Sequence, residues 1–272
     1  MTVVTAPVDS IAAEILAALD ATRQIAPFSS RTPGFDLAAA YRVNAAVRAL
    51  REARGEKVVG RKIGFTNRTI WSEYNVYAPN WGYMYDTTVH ELAGAGASFP
   101  LAPFAEPRIE PEIMFGMARA PDPDMPVDAL LACIGWIAHG YEIVQSPFPG
   151  WKFQAADTTA ANALHGALLI GPRHAVSPGA DWTRALAEFD IDLQRDGALA
   201  DRGRGANVLD SPLLALRHLI ELLARDPVNP PLAAGEIVTT GTLTRALPVA
   251  PGETWSTLLS GIPLEGARIR FV

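Results

Sequence analysis

Glu110 and Glu112 flank a proline in the stretch Arg108-Ile109-Glu110-Pro111-Glu112-Ile113-Met114-Phe115. In an extended strand, residues two apart share a face, so both carboxylates point one way while Ile109, Ile113 and Phe115 point the other. Carboxylates about 7 Å apart along a strand repel each other unless something positive lies between them. Pro111 also removes a ladder hydrogen bond, which predicts a sheet edge or a bulge here. A solvated outer face would explain this pair by itself. Glu142 shifts the balance, because His139-Gly140-Tyr141-Glu142-Ile143-Val144 is otherwise apolar and an unpaired glutamate is costly to bury there. Three converging carboxylates describe an oxygen-ligand site for Mg²⁺ or Mn²⁺, with positions left for water and substrate. The five histidines do not compete for this role. His90, His139, His165, His174 and His218 are scattered, form no HxH or HExxH spacing, and read as structural or surface residues.

Lysine usage points to a fourth residue. The chain holds three lysines, Lys57, Lys62 and Lys152, against twenty arginines. Lysine differs from arginine in that its pKa shifts on burial and it can transfer a proton. Lys57, beside Glu56, reads as surface. Lys62 lies in the apolar, glycine-punctuated run Val58-Val59-Gly60-Arg61-Lys62-Ile63-Gly64-Phe65, where a catalytic role and a structural one weigh about equally.

Two further clusters suit a pocket. In Trp151 to Asn162 (WKFQAADTTAAN), polar residues alternate with small ones, as in a loop lining a cavity. Thr239-Thr240-Gly241-Thr242-Leu243-Thr244 is hydroxyl-rich with a central glycine, which lets a ligand approach the backbone closely. β-Branched strand propensity alone would also produce such a threonine run.

The elements that must carry these residues follow from periodicity. A helix capped by Asp9 and Ser10 places Ile11, Ile15, Leu16 and Leu19 on one face. After the break at residues 27–34, a second helix is predicted from about Asp36 to Ala53, with Gly55 at its C-terminal cap. From Val58 the chain turns to short β-rich runs: 109–117, 141–145, 167–170, 189–194, 237–243 and 267–271. A helix is expected from near Pro126 to before Gly140, and another after the cap Asp210-Ser211 with Pro212 at its first position. This pattern predicts an α+β protein: a helical region over residues 1–57, then a β-rich catalytic domain over 58–272, dominated by antiparallel sheet.

Composition sets the outer limits. With 272 residues, 49% hydrophobic and 19% charged, the chain can bury a large core and is not disordered. Its longest nearly uninterrupted apolar run, Ala129 to Ala138, is too short to span a bilayer, which needs about 20 residues. The opening MTVVTAPVDS has no basic segment followed by an apolar one, as a secretory signal would. Cys133 is the single cysteine, which excludes an intramolecular disulfide and a cysteine-built zinc site. A net charge of −6 offers no basic excess for nucleic acid. A cytoplasmic protein with neither a membrane nor a nucleic-acid partner is expected.

The motifs also come in a recognisable order. Arg61-Lys62-Ile63-Gly64-Phe65-Thr66, Pro79-Asn80-Trp81-Gly82, Glu110-Pro111-Glu112, Tyr141-Glu142-Ile143-Val144, Asp157 through Asn162, and Thr240 through Thr244 together resemble the 2-keto-4-pentenoate hydratase / 4-oxalocrotonate decarboxylase family. That family lies within the fumarylacetoacetate hydrolase superfamily, and the similarity runs along essentially the whole chain. It implies a mixed β-sandwich roll with a small helical N-terminal region. It also implies Glu110, Glu112 and Glu142 as ligands of Mg²⁺ or Mn²⁺, Lys62 as active-site lysine, and catalytic or substrate-binding roles for Asp157, Asn162, Gly241 and Thr242. One position departs: hydratases of the family carry Pro-Asp-Phe-Gly where this chain has Pro79-Asn80-Trp81-Gly82, and decarboxylases also lack that aspartate. An amide cannot act as a general base, so Asp86 is a candidate substitute for Asn80. The expected activity is metal-dependent hydration of a 2-hydroxy-2,4-dienoate to a 4-hydroxy-2-oxo acid. Decarboxylation of a 4-oxalocrotonate-like acid is the alternative. C–C hydrolysis of an acylpyruvate is a third, against which no clear His–Glu dyad is visible. A homo-oligomer, associated with a related decarboxylase or hydratase, is the implied assembly; a purely non-catalytic subunit fits poorly with an intact lysine and three intact carboxylates. Trp71, Tyr74, Trp81 and Tyr85 are candidates for an aromatic wall, or for ordinary core.

Overall fold

The structure, a computed structural model, describes residues 7–92, 94–176 and 181–272. Residues 1–6, read above for a signal segment, lie outside the described residues. The elements in chain order are α1 (Val8–Asp20), α2 (Leu37–Ala53), β1 (Val58–Gly64), α3 (Trp71–Tyr74), β2 (Asn80–Tyr85), β3 (Val89–Glu91), β4 (Ser98–Phe99) and β5 (Arg108–Met117). There follow α4 (Val127–Leu130), β6 (Ile134–Val144), α5 (Ala155–Ala160), β7 (His165–Ala175), α6 (Trp182–Glu188), β8 (Asp190–Arg195) and β9 (Ala198–Arg204). The chain ends with α7 (Pro212–Ala224), β10 (Ile237–Thr239), β11 (Leu247–Pro248), β12 (Thr254–Ser260) and β13 (Arg268–Phe271).

Two mixed sheets result, an α+β architecture. The larger runs β2-β1-β10-β5-β6-β7-β3, with β11 also on β5; the smaller runs β4-β13-β12-β8-β9. Strand alternation gives the large sheet two different faces. One carries Ile63, Trp81, Tyr83, Ile113, Phe115 and Val238, buried against α6 and α7. Farther along β5 and β6 the same face carries Ile109, Tyr141 and Ile143, packed on Leu193, Trp255, Ile269 and Phe271 of the small sheet. The opposite face holds Met84, Met114, Ala138, Leu168 and Ile170, and beside them every carboxylate and cation of the site. α1, α2, α5 and the segment around Phe148 share a second core with Val144, and so cover the site end of that face.

The helices start where their caps dictate. Asp36 accepts from Ala39 N–H and opens α2, while Ser211 accepts from Leu213 N–H ahead of Pro212 and opens α7. α1 begins earlier than expected, at Val8 with Pro7 before it, and neither Asp9 nor Ser10 caps it; Ser10 instead donates to the Pro7 carbonyl.

Three expectations need correction. The helix predicted from Pro126 to before Gly140 is helical only through Leu130 and a short 3₁₀ turn, and from Ile134 it is strand β6. Both faces of β6 are buried, so the sequence shows an apolar run with no alternation, and periodicity cannot separate helix from strand there. The strand expected over 237–243 ends at Thr239, because the backbone turns at Gly241 with φ of +100°. Pro111 lies at neither a sheet edge nor a bulge. It sits inside β5, between the stretches paired to β10 and to β11, where its carbonyl accepts from Leu243 N–H. That break in pairing tolerates the missing proline N–H.

Candidate active site

Five strands aim their polar residues at one point. Lys62 on β1, Asn80 on β2, Glu110 and Glu112 on β5, Glu142 on β6 and Thr239 on β10 all share the face of the large sheet opposite α7. Glu110 pairs with Glu142 across β5 and β6, and Lys62 pairs with Thr239 across β1 and β10. Register therefore converts five strands, distant from one another in sequence, into one cluster.

Oxygens of Glu110, Glu112 and Glu142 all lie within 4.8 Å of one another. One cation with oxygen bonds of about 2.0–2.6 Å spans such a set. Glu112 Oε1 is buried and receives no hydrogen bond, and Glu142 Oε2, equally buried, has Lys62 as its one partner. Lys62 Nζ stands 3.0 Å from Glu142 Oε2 as an ion pair. The other oxygens are fixed. Glu112 Oε2 accepts from Gly241 N–H at 2.7 Å and from the Thr239 hydroxyl, and Glu142 Oε1 is 2.7 Å from His165 Nδ1. The donor set and its unsatisfied oxygen fit a divalent cation.

Charge is unevenly spread among these groups. Burial pushes Glu110 up to about 7, partly offset by Lys62 and reinforced by Glu142. Burial and the charges of Glu142 and Glu110 hold Glu112 well above the usual carboxylate range. Glu142 is lower than usual, since Lys62 and His165 together outweigh its burial. Burial pulls the Lys62 ammonium down, but the three glutamates outweigh it and hold it above the ordinary lysine value.

A small cavity opens beside this cluster, lined by Lys62, Glu110, Gly64, Gly241 and Thr242, with Phe65, Tyr74 and Trp151 closing it. Arg108 braces that closure, donating to the Tyr74 hydroxyl at 2.6 Å and stacking on the Trp151 ring at 4.3 Å. Gly241 must be glycine: besides its φ, a Cβ there would fall 1.9 Å from Thr66 Oγ1. Asn80 is buried beside Lys62, its amide nitrogen on Thr158 and Thr159.

Other sequence candidates stand elsewhere. Asp157 is occupied in holding α5: it accepts from Ser29 N–H and hydroxyl and from Gln154 N–H, which leaves it no part in the cavity. Asn162 bonds through both amide atoms to the backbone of Tyr83, completing the edge of β2. Asp86 is exposed beyond the far end of β2, where it accepts from Lys57 N–H. Of the four proposed wall aromatics, Tyr74 reaches the cavity, whereas Trp81 and Tyr85 lie on the opposite face of the sheet. Lys152 is exposed.

Sequence reading missed His165. It predicted a structural or surface histidine and no His–Glu dyad, yet His165 is buried and paired with Glu142. The cause is one extra residue, Gly166, where the β6–β7 register shifts between Ile143 and Val144. Without that bulge His165 would point to the other face. The dyad is turned from the cavity, since His165 Nε2 contacts the Thr88 hydroxyl at 2.9 Å. His139 does match its structural reading. Its Nδ1 lies 3.0 Å from the Glu112 carbonyl, its Nε2 2.8 Å from the Thr257 hydroxyl, and burial holds it down to about 4.

Known proteins share this fold. A 4-oxalocrotonate decarboxylase from Pseudomonas putida G7, solved with magnesium and adipate, superposes with a TM-score of 0.86 at 26% identity, over 97% of both chains. Fumarylpyruvate hydrolase from Pseudomonas aeruginosa, solved with Mn²⁺ and pyruvate, superposes with a TM-score of 0.59 at 16% identity, over 78% of this chain and 88% of that one, and shares the fold alone. A putative fumarylacetoacetate hydrolase family protein from Yersinia pestis CO92 shares the fold as well, with a TM-score of 0.55 at 16% identity, over 80% of this chain and 94% of that one. A 2-hydroxyhexa-2,4-dienoate hydratase from Comamonas testosteroni is 32% identical over 90% of each chain. This chain belongs to the 2-keto-4-pentenoate hydratase / 4-oxalocrotonate decarboxylase family. No protein-family profile matches it. Among the described residues, no helix is long and apolar enough to cross a membrane.

Proposed function

We propose that this protein is a divalent-metal-dependent hydratase that adds water to a 2-hydroxy-2,4-dienoate, giving a 4-hydroxy-2-oxo acid. The observation carrying this reading is the buried Lys62 ammonium facing three clustered carboxylates beside a small cavity. Glu110, Glu112 and Glu142 would hold Mg²⁺ or Mn²⁺, whose charge, when bound, gathers the substrate carboxylate and 2-oxygen and favours the enolate. Lys62 gives a proton to C5 of the dienol as the 2-hydroxyl loses one, leaving a 2-oxo-3-enoate. Water then adds its hydroxyl to C4 and a hydrogen to C3. Gly241 N–H and Thr239 keep Glu112 oriented, His165 does the same for Glu142, and Phe65, Tyr74 and Trp151 exclude bulk water. We read the two sheets as the mixed β-sandwich roll of the superfamily, and the assembly as a homo-oligomer.

The test is direct. Purified protein with Mg²⁺ or Mn²⁺ should consume 2-hydroxypenta-2,4-dienoate to 4-hydroxy-2-oxopentanoate, and excess EDTA should stop it. Full activity in EDTA would overturn the reading.

Asn80 favours one second reading, decarboxylation of a 4-oxalocrotonate-like acid, because an amide cannot serve as base for water. There Lys62 would protonate the dienolate left after loss of CO₂. Release of CO₂ faster than hydration by the unmodified protein would select it.

A further inference from the structure

The Asn80 amide can be oriented from its hydrogen bonds alone. Thr158 and Thr159, in the fourth and fifth positions of α5, each donate their hydroxyl to the Ala155 carbonyl at 2.9 Å. A hydroxyl has one proton, so both threonine oxygens can face Asn80 only as acceptors. The Asn80 amide nitrogen supplies the two protons required, at 2.8 Å from Thr158 Oγ1 and 3.0 Å from Thr159 Oγ1. A flipped amide would set its oxygen against two acceptor oxygens and leave two buried N–H groups without partners.

The consequence falls on the other side of the side chain. Asn80 Oδ1 is buried and receives no hydrogen bond. It lies 3.1 Å, and Lys62 Nζ 3.5 Å, from the point where a Cβ on Gly64 would stand. Gly64 has no such atom and lines the cavity. Register supports the same placement, with Gly64 opposite Asn80 and Lys62 opposite Gly82 on the β1–β2 pair. An unpartnered acceptor therefore borders the space beside the active-site lysine.

We propose that Thr158 and Thr159 are positioning residues that lock Asn80 with its carbonyl oxygen toward Lys62, giving the site a fixed acceptor for a hydroxyl donor that cannot itself remove a proton. This rests on the hydratase reading for its ligand: the donor is the C4 hydroxyl of the product, or the water that becomes it. Burial without a donor makes the acceptor selective, because a ligand lacking the hydroxyl leaves Oδ1 unsatisfied.

The experiment is a double-mutant cycle. Thr158→Val and Thr159→Val, singly and together, are made in the native protein and in an Asn80→Ala background. Hydration rate is read together with calorimetric binding of 4-hydroxy-2-oxopentanoate and 2-oxopentanoate, both with Mg²⁺ present. In the native background each valine should cost about 5- to 10-fold, the worth of one buried hydrogen bond. If Oδ1 holds the ligand hydroxyl, the loss falls on preference for the 4-hydroxy acid over its deoxy analogue. If it holds the adding water, it falls on kcat with both affinities kept. In the Asn80→Ala background the valines should cost less than about 2-fold, whereas in the native background Thr158→Ser or Thr159→Ser should keep native behaviour, since each keeps the hydroxyl. Equal losses in both backgrounds would mean that the threonines act only through packing of α5, and would overturn the proposal. So would the absence of any loss in the native one. Because the binding arm needs no turnover, a protein that fails to hydrate the dienoate defeats the activity reading while the amide arrangement is still tested.

Discussion

Lys62 Nζ stands 3.0 Å from Glu142 Oε2, with both side chains buried. The same carboxylate meets His165 through its other oxygen, so Glu142 is shared between a lysine and a histidine. This explains why Glu142 alone of the three glutamates is held low while Glu110 and Glu112 are pushed up. In the proposed mechanism this separates two jobs: Lys62 acts on the substrate, and the glutamates hold the cation.

Lys62→Met should therefore abolish turnover, by at least about 1000-fold, with Mg²⁺ affinity unchanged or slightly tighter. The lysine is a like charge to the incoming cation, so its loss does not weaken the site. Steady-state rates beside calorimetric Mg²⁺ binding check this. Surviving turnover would remove Lys62 from the chemistry.

Glu112→Gln should behave in the opposite way. An amide keeps the shape but not the ligand charge, so Mg²⁺ affinity should fall by about 100-fold or more. Adding Mg²⁺ to high concentration should recover part of the activity, which it cannot do for Lys62→Met. Unchanged affinity would place the cation elsewhere.

Metal binding should strengthen as pH rises. Glu110 sits at about 7 and Glu112 is held well above the usual carboxylate range, so the metal-free cluster carries protons at pH 6 that a cation must displace. A raised carboxylate pKa means that these protons are held at low pH and lost at high pH, so affinity grows with pH. From pH 6 to pH 8 the Mg²⁺ dissociation constant should fall by about 10-fold or more. Calorimetry in two buffers of different ionisation enthalpy should show proton release at pH 6. A flat profile would contradict the assigned charges.

The readable residues were those whose burial carried a visible cost. Glu142 in an apolar strand and Lys62 in a chain of arginines each demanded a partner, and β5–β6 register supplied it. His165 was not readable, because its direction depends on the bulge at Gly166, which no local pattern announces. Asp157 misled in the reverse sense: an aspartate three residues into a helix caps α5 and binds Ser29, 128 residues away in sequence. The Ala129–Ala138 run hid a strand because β6 is buried on both faces.

His165 gives the next prediction. Its Nδ1 fixes one oxygen of Glu142 and so aims the other. His165→Leu should weaken Mg²⁺ binding by about 10- to 100-fold, as is usual when the partner of a metal ligand is lost. His165→Asn, which can set a side-chain N–H near the same place, should recover much of it. Equal behaviour of the two variants would show that packing, not the hydrogen bond, matters there.

Gly241 joins backbone geometry to the site. Its N–H donates to Glu112 Oε2 at 2.7 Å, its φ is +100°, and an added Cβ would fall 1.9 Å from Thr66 Oγ1. Thr66 cannot simply turn aside, since its hydroxyl donates to the Thr240 carbonyl at 2.8 Å. Gly241→Ala should therefore lose about 3 kcal/mol of stability, combining left-handed strain with overlap, and should also weaken Mg²⁺ binding. Gly252 is the control: its φ is +94° but nothing lies within 4 Å of an added Cβ. Gly252→Ala should lose only about 1 kcal/mol and leave Mg²⁺ affinity alone. Pairing Gly241→Ala with Thr66→Ala should relieve the overlap and return part of the stability, but not the strain. Chemical denaturation with and without Mg²⁺ measures all four proteins. Equal losses at Gly241 and Gly252 would mean that the close approach to Thr66 carries no weight.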